Sequence, residues 1–148
     1  MAIIPAPINS LWEVWTIEAG IRSFFARDCH IDLRVIGEYK IYFNPNAHNG
    51  ERGAEGTRIL AIQPNILFSF TWNNPPSIPV IRWQYTHVSL YFTSIDAKQT
   101  KLLLEHDGWG EGANWEMAFA YFDRAWNKIV FPRLVKRFVS GPIDWDSV

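Results

Sequence analysis

The amino-acid sequence predicts an α+β fold in which a curved antiparallel β-sheet wraps around one long C-terminal helix. Three observations predict it. From Asn114 to Phe138, apolar side chains recur at steps of three and four residues, which is typical of a helix with one buried face. Between residues 29 and 107 they alternate with polar ones, which is typical of strands. Two short stretches near the N-terminus, 7–15 and 17–25, have helical spacing again.

Length and composition are those of one packed domain, expected to cover residues 1–148. Apolar residues make up 48% of the chain and aromatic residues 16%, which excludes a disordered polypeptide. The formal net charge of -1 comes from scattered charges and argues against a nucleic-acid surface or an electrostatic membrane anchor. We therefore expect no nucleic-acid partner and no membrane partner.

The single cysteine, Cys29, forms neither an intramolecular disulfide nor a thiolate metal cage. The N-terminus lacks a basic, apolar export signal, and no apolar run reaches membrane-spanning length. His48 has no partner ligands at metal spacing. The sequence thus predicts a cytoplasmic protein without metal or cofactor.

The long helix is expected to bury a mostly aromatic stripe. Its members are Trp115, Ala118, Phe119, Phe122, Ala125, Trp126, Ile129 and Val130. Pro132 has no N–H to bond the carbonyl of Lys128, so we predict a kink or break there. Beyond it Arg133 falls on the old stripe, whereas three apolar residues point elsewhere: Phe131, Val135 and Phe138. These three either pack on the N-terminal helices or form a homodimer contact.

The first element is a short edge strand, Ala2–Ile4, before two short helices. The first helix, residues 7–15, should bury one side made of Ile8, Leu11, Trp12 and Trp15. Thr16 can cap the second helix, whose apolar side chains plug one end of the sheet. These are Ile21, Phe24 and Phe25.

Six further strands are predicted, with Asn44–Gly56 as an exposed loop. The strands cover residues 29–35, 39–43, 57–63, 66–72, 81–93 and 100–107. The first two form a hairpin that turns at Ile36–Gly37. Alternation places one set of side chains on the inner face. It consists of Phe68, Phe70, Trp72, Gln84, Thr86, Val88, Leu90, Phe92, Leu102, Leu104 and His106, with Trp83, Tyr85, His87 and Tyr91 outside.

Several short motifs follow one another in a characteristic order. They are Pro5-Ala6-Pro7-Ile8, Leu11-Trp12, Trp15-Thr16, Asp32-Leu33-Arg34 with Gly37, Gly56 through Pro64 to Phe70-Thr71-Trp72, residues 100–106, and Phe122-Asp123-Arg124-Ala125-Trp126. Together they resemble the START-like helix-grip superfamily (SRPBCC, or Bet v 1-like), which includes the birch-pollen allergen fold. Within it the chain is similar to the branch containing the C-terminal domain of the activator of Hsp90 ATPase. Ile36 stands where that branch usually has a glycine, and Gln63 where it often has an acid.

No short catalytic signature is present, neither a phosphate-binding glycine loop nor a nucleophile elbow. His106 is the best polar candidate on the inner face and either contacts a ligand or is satisfied by neighbouring groups. Thr86 and Gln84 have the same two readings. Cys29 and His30 lack a third group that would make them a nucleophile pair.

The leading hypothesis is therefore the binding of a small hydrophobic or aromatic molecule in a cavity between the long helix and the sheet. The candidate ligand-binding residues are Phe70, Trp72, Thr86, Val88, Leu104, His106, Trp115, Phe119, Phe122 and Trp126. Two alternatives remain open. The resemblance implies a chaperone-interacting module of the Hsp90 type, or an enzyme of the cyclase or hydratase kind in which His106 acts as acid or base.

Overall fold

The computed structural model describes residues 1–148 and has the predicted α+β helix-grip architecture. Its strands are β1 Ala2–Ile4, β2 Asp28–Ile31, β3 Tyr39–Tyr42, β4 Gly53–Ala54, β5 Ile59–Gln63, β6 Leu67–Trp72, β7 Thr86–Asp96 and β8 Gln99–Asp107. Its helices are α1 Ile8–Thr16, α2 Glu18–Phe24, α3 Ala113–Arg124, a π-helical segment Ala125–Val130 and α4 Phe131–Ser140, with single 3-10 turns at Pro79–Ile81 and Trp145–Ser147. We call α3, the π-helical segment and α4 together the long helix.

Two antiparallel sheets form the wall against which the long helix packs. A five-stranded sheet has the order β1-β8-β7-β6-β5, and a three-stranded sheet has the order β2-β3-β4. The two sheets join where β3 begins beside β5. There Glu38 and Arg58 form an isolated antiparallel bridge, and the Tyr39 N–H donates to the carbonyl of Thr57 at 3.0 Å.

The first hairpin is shorter than its alternating pattern predicts. β2 ends at Ile31, and Leu33 and Val35 are exposed, so the strand predicted for residues 29–35 is wrong beyond Ile31. Local hydrogen bonds of two turns replace the strand. The Arg34 N–H donates to the Asp32 carbonyl, and the Gly37 N–H donates to the Arg34 carbonyl. Apolar residues still alternate with polar ones in this segment, but no part of the protein covers them.

The strand predicted for residues 81–93 begins late. Pro79 starts a 3-10 turn, and β7 pairs only from Thr86 onward. Gln84 lies in the preceding turn and is exposed, so its predicted inward position is wrong. The short strand β4 lies inside the stretch predicted as a loop.

The second short helix was predicted to plug one end of the sheet, but both short helices contribute large side chains to the core. The largest fully buried side chains come from these helices and from β3 and β6. They include Trp15, Phe24, Phe25, Tyr39, Phe68 and Phe70. The hydroxyl of Tyr39 donates to the carbonyl of Trp15 at 2.7 Å and so ties the small sheet to α1.

The α1–α2 junction differs in detail from the prediction. The Thr16 hydroxyl donates to the carbonyl of Trp12 within α1 and does not cap α2. Gly20 fits because an added Cβ would lie 2.4 Å from the Cα of Val14. Glycine at this position therefore permits the close approach of the two helices.

Apart from Phe131, the buried side chains of the long helix recur at every fourth residue, in a row that is narrower than the predicted stripe. The row consists of Ala118, Phe122, Trp126, Val130 and Leu134. The predicted burial of Phe119 and Ile129 is wrong, since they are 53% and 41% exposed. Steps of four drift by roughly 40° in a regular α-helix. The wider turns of the π-helical segment rotate the row back toward the sheet.

Pro132 does not break the helix, which continues to Ser140. The disturbance takes the form of the π-helical segment, in which the Phe131 N–H donates to the carbonyl of Trp126, five residues earlier. Beyond it Phe131 is buried, and Val135 and Phe138 pack against the main core. The contacts between α2 and α4 agree with the predicted packing on the N-terminal helices, and the homodimer contact stays a prediction.

Ile36 has a left-handed backbone, with φ of 68°, and its side chain is 62% exposed. A β-branched residue in this conformation is strained by about 1–2 kcal/mol. We therefore expect Ile36→Gly to stabilise the fold, by about 0.5–1 kcal/mol after the greater chain entropy of unfolded glycine is subtracted. Chemical denaturation followed by circular dichroism measures this.

The neighbouring substitution Val35→Gly is the matched control, because Val35 is also exposed but does not have a positive φ. It should lower the stability. Equal destabilisation by both substitutions would contradict the assignment of strain to Ile36.

Candidate functional site

The indole of Trp126 divides the space between the long helix and the sheet into two clefts. The Trp72 cleft has a volume of about 230 Å³ and is lined by Phe25, Phe43, Trp72, Tyr121, Ala125, Trp126, Ile129, Val130 and Arg133. The His106 cleft has a volume of about 250 Å³ and is lined by Met1, Leu104, His106, Trp109, Phe119, Phe122, Asp123, Trp126, Asn127 and Phe131. Trp126 is the one residue common to both walls.

A hydrogen-bond relay fixes Trp126 to the sheet. Its indole Nε1–H donates to Nδ1 of His106 at 3.1 Å. The other ring nitrogen of His106, Nε2, lies 2.7 Å from the hydroxyl of Thr86, which in turn donates to the carbonyl of Trp72 at 3.0 Å. The indole can only donate, so Nδ1 carries no proton. His106 is therefore the neutral tautomer with its proton on Nε2, and the relay has one direction throughout.

The surroundings of His106 keep it neutral. Burial lowers the pKa of His106 to about 4, an effect that nearby Asp107 only partly opposes. The rings of Trp109 and Phe122 lie 4.2 and 5.0 Å from the imidazole, measured between centroids. Both nitrogens already have partners, so neither is free to exchange a proton with a bound molecule.

Aromatic rings make up the inner walls of the Trp72 cleft. Trp72 stacks on Phe25 with centroids 5.9 Å apart and planes inclined by 14°. Phe43 meets Trp72 edge-on at 6.3 Å, and Trp126 closes the box at 5.8 Å from Trp72 and from Phe25. These offset, tilted and edge-to-face contacts pack the rings on one another, so they form an apolar floor for the cleft.

The rim of the Trp72 cleft is open to solvent. Phe43, Tyr121 and Ile129 are 42%, 50% and 41% exposed although each lines the cleft. Arg133 also lines the Trp72 cleft, one helical turn beyond Ile129. Its guanidinium stacks over the Trp145 ring at 5.1 Å.

The ten candidate ligand-binding residues fall into three groups. Trp72 lines the Trp72 cleft, Leu104, His106, Phe119 and Phe122 line the His106 cleft, and Trp126 lines both. Phe70, Val88 and Thr86 lie fully buried within the core, away from both clefts. Trp115 packs edge-on against Trp109, with centroids 6.4 Å apart, and lines neither cleft. The structure thus brings six of the ten to the cleft walls.

Twelve of the eighteen wall residues were not among the candidates, and they include Phe25, Phe43, Trp109 and Arg133. Phe25 and Phe43 are plainly apolar, but they lie at the ends of α2 and β3. There the spacing of apolar residues does not indicate that their side chains face a cleft. Trp109 lies in a glycine-rich loop without any period. Arg133 did have a signal, because it falls on the helical stripe where an apolar residue was expected.

A more polar cleft adjoins the rim and is closed by Arg82. This guanidinium is buried and donates to the carbonyls of Gly50 and Gly53 and to the carboxylate of Glu55, at 2.9, 2.6 and 3.1 Å. It thereby clamps the loop before β4 to the loop before β7. We propose that Arg82 supports Phe43 and Trp72, which line both this polar cleft and the Trp72 cleft.

Other candidate chemistry is not assembled. Burial raises the pKa of the Cys29 thiol to about 12, so it is not an activated nucleophile. No group of three or more His, Cys, Asp and Glu side chains is placed to hold a metal ion. None of the helices combines the length and the apolar character needed to cross a membrane.

The relay predicts a pH dependence of stability. The pKa of His106 is lowered in the folded state, so between about pH 4 and 6.5 the unfolded chain binds more protons. Stability is therefore complete above pH 6.5 and decreases as the pH falls toward 4, by up to about 3 kcal/mol from this residue. Chemical denaturation of the wild type and of His106→Gln, which does not titrate, across pH 4–7 measures this contribution.

His87→Gln provides the control, since this exposed imidazole pairs with Asp107 on the outer face. It should keep the wild-type pH dependence, whereas His106→Gln should lose most of it. An unchanged slope in His106→Gln would show that the buried imidazole is not held neutral.

Known proteins with this fold were found among solved structures. Protein MLL2253 from Mesorhizobium loti has a TM-score of 0.71 at 18% identity, over 96% of this chain and 98% of that chain. PFC0360w, an HSP90 activator from Plasmodium falciparum, has a TM-score of 0.66 at 16% identity, over 95% and 93%. The Aha1 dimer from Colwellia psychrerythraea has a TM-score of 0.62 at 17% identity, over 95% and 93%. These similarities establish the fold.

The sequence itself gives the family. No curated protein matches the chain. Residues 5–138 match the family described as Activator of Hsp90 ATPase homolog 1-like protein, from before α1 into the last turns of the long helix. The predicted resemblance is confirmed, and the chain belongs to the Activator of Hsp90 ATPase homolog 1-like family.

Proposed function

We propose that this protein binds a small apolar or aromatic molecule in the Trp72 cleft. The observation that carries the proposal is the cleft itself, about 230 Å³ with eight hydrophobic residues among the nine in its wall. A cavity of about 150 Å³ is enough to bind benzene. The Trp72 cleft therefore offers room for a body of one or two fused rings.

The contacts available to such a guest lie mainly at the rim, where Phe43, Tyr121 and Ile129 are exposed. Trp72 and Trp126 are almost fully buried and are held by their neighbours, so they form a floor that needs no reorganisation on binding. Phe43 and Tyr121 stand at the rim and can close over an occupant. The His106 cleft is less suited, because Asp123 and Asn127 contribute polar groups to its wall.

A catalytic role for His106 has no support in this geometry. Its Nδ1 accepts from Trp126 and its Nε2 contacts Thr86, so the imidazole is occupied on both sides. A general acid or base must reach the proton that it transfers, and this one reaches none outside the relay. We therefore propose binding without a reaction at His106.

A chaperone-associated role is the second candidate, favoured by the family match over residues 5–138. If it holds, the protein should raise the ATPase rate of an Hsp90 chaperone in a steady-state assay. A rate that stays flat across a titration of the protein would remove this role and leave the cleft proposal intact.

The binding proposal is tested by filling the cleft. Ala125 lines the Trp72 cleft, so Ala125→Phe should occupy the space of the guest. With 2-naphthalenemethanol as the neutral probe, we expect saturable quenching of tryptophan fluorescence in the wild type and at least about tenfold weaker binding in the variant.

Ala120→Phe is the matched control, because Ala120 is exposed on the same helix and lies outside the cleft. It should bind the probe as the wild type does. Wild-type affinity in Ala125→Phe, or no saturable binding by the wild type, would overturn the proposal.

A further inference from the structure

We infer that the molecule held in the Trp72 cleft is an organic anion, an aromatic or medium-chain carboxylate whose charge binds to Arg133. The inference rests on the proposed function and adds the class of ligand. It depends on an arginine that has a place in the cleft wall and no charged partner.

Arg133 lies on the cleft-facing side of the long helix. It follows Ile129 by four residues and Val130 by three, the spacings at which helical side chains share a face. All three line the Trp72 cleft, and Arg133 is the one charged residue in its wall. A guest that lies against Ile129 in this cleft would thus be within reach of the guanidinium.

The guanidinium of Arg133 has no counter-charge. No carboxylate lies within 4.0 Å of it, and it makes no hydrogen bond to the protein. Arg27, which lines a neighbouring pocket together with Arg133, has a carboxylate partner in Asp146 at 3.7 Å. Arg82 shows the contrast, since its buried charge meets Glu55 at 3.1 Å and several carbonyls.

The one contact of the Arg133 guanidinium leaves its donors available. Its Cζ atom lies over Trp145, 5.1 Å from the ring centroid. This cation–π contact gives the N–H groups no carbonyl or carboxylate acceptor, so they stay available as donors. A carboxylate can meet these donors through two parallel hydrogen bonds.

The position of Arg133 is otherwise unfavourable for a cation. Burial lowers the pKa of Arg133, which means that its charge is held at a cost beside the apolar wall. Arg133 also lies well before the end of the long helix at Ser140, so the helix dipole does not stabilise it. A bound anion would supply the compensation that partly buried charges require.

The volume and the walls limit the rest of the ligand. About 230 Å³ of largely aromatic space suits one or two rings, or a short alkyl chain, with a single acidic group at one end. 2-Naphthoate has these properties. 2-Naphthalenemethanol has the same rings without the charge.

The experiment compares these two probes by titration calorimetry at low ionic strength. The wild type should bind 2-naphthoate at least about tenfold more tightly than the alcohol, the effect expected of one charge-assisted hydrogen-bonded pair. Arg133→Gln should reduce 2-naphthoate to the affinity of the alcohol and leave the alcohol unchanged. Unchanged alcohol binding also shows that the variant is folded.

Two further variants sharpen the comparison. Arg133→Lys keeps the charge without the planar fork and should fall between the wild type and Arg133→Gln. Arg124→Gln removes an exposed cation from the same helix, outside both clefts, and should change nothing.

The outcomes separate the two proposals. If the wild type binds both probes equally, or if Arg133→Gln binds 2-naphthoate as the wild type does, the anionic ligand is excluded while apolar binding stands. If the wild type binds neither probe, both proposals are overturned.

Discussion

The hydrogen bond from the Trp126 indole to His106 is the constraint on which the arrangement of the long helix and its two clefts depends. It joins the middle of that helix to β8, and Thr86 extends the link to β7 and to the end of β6. An indole N–H buried without this acceptor would cost about 1–3 kcal/mol. The relay therefore fixes the position of the Trp126 indole, which separates the two clefts. The clefts on either side follow from its position.

The short helices and the long helix contribute differently to the core, and this difference explains why clefts remain beside the long helix. Most of the large buried side chains come from α1, α2 and the sheets, and five residues of the long helix complete the same core. The long helix adds a narrow row, and its flanking residues Phe119 and Ile129 stay at the surface. A narrow row touching a curved wall leaves room on both sides. The proposed binding would thus leave closed the core that stabilises the fold.

Periodicity predicted the elements well wherever one face is buried along the full length. The strand ending at Trp72, the strand carrying Leu102 and the apolar side of α1 all follow their patterns. It failed where the backbone leaves regular geometry: after Ile31 local turns replace the predicted strand, and in the long helix the π-helical segment shifts the buried row. The choice between ligand contact and structural role for His106 required distances, because sequence does not show which donors meet its nitrogens.

The tautomer of His106 tests this account most directly. Nitrogen-15 chemical shifts of the imidazole, measured by long-range ¹H–¹⁵N correlation between pH 5 and 7, distinguish a ring nitrogen that carries a proton from one that does not. The relay predicts a proton on Nε2, a bare Nδ1 and no titration of His106 across this range. A proton on Nδ1, or titration with an ordinary pKa near 6.5, would show that Trp126 is not held in this way. The partition between the clefts would then have no support.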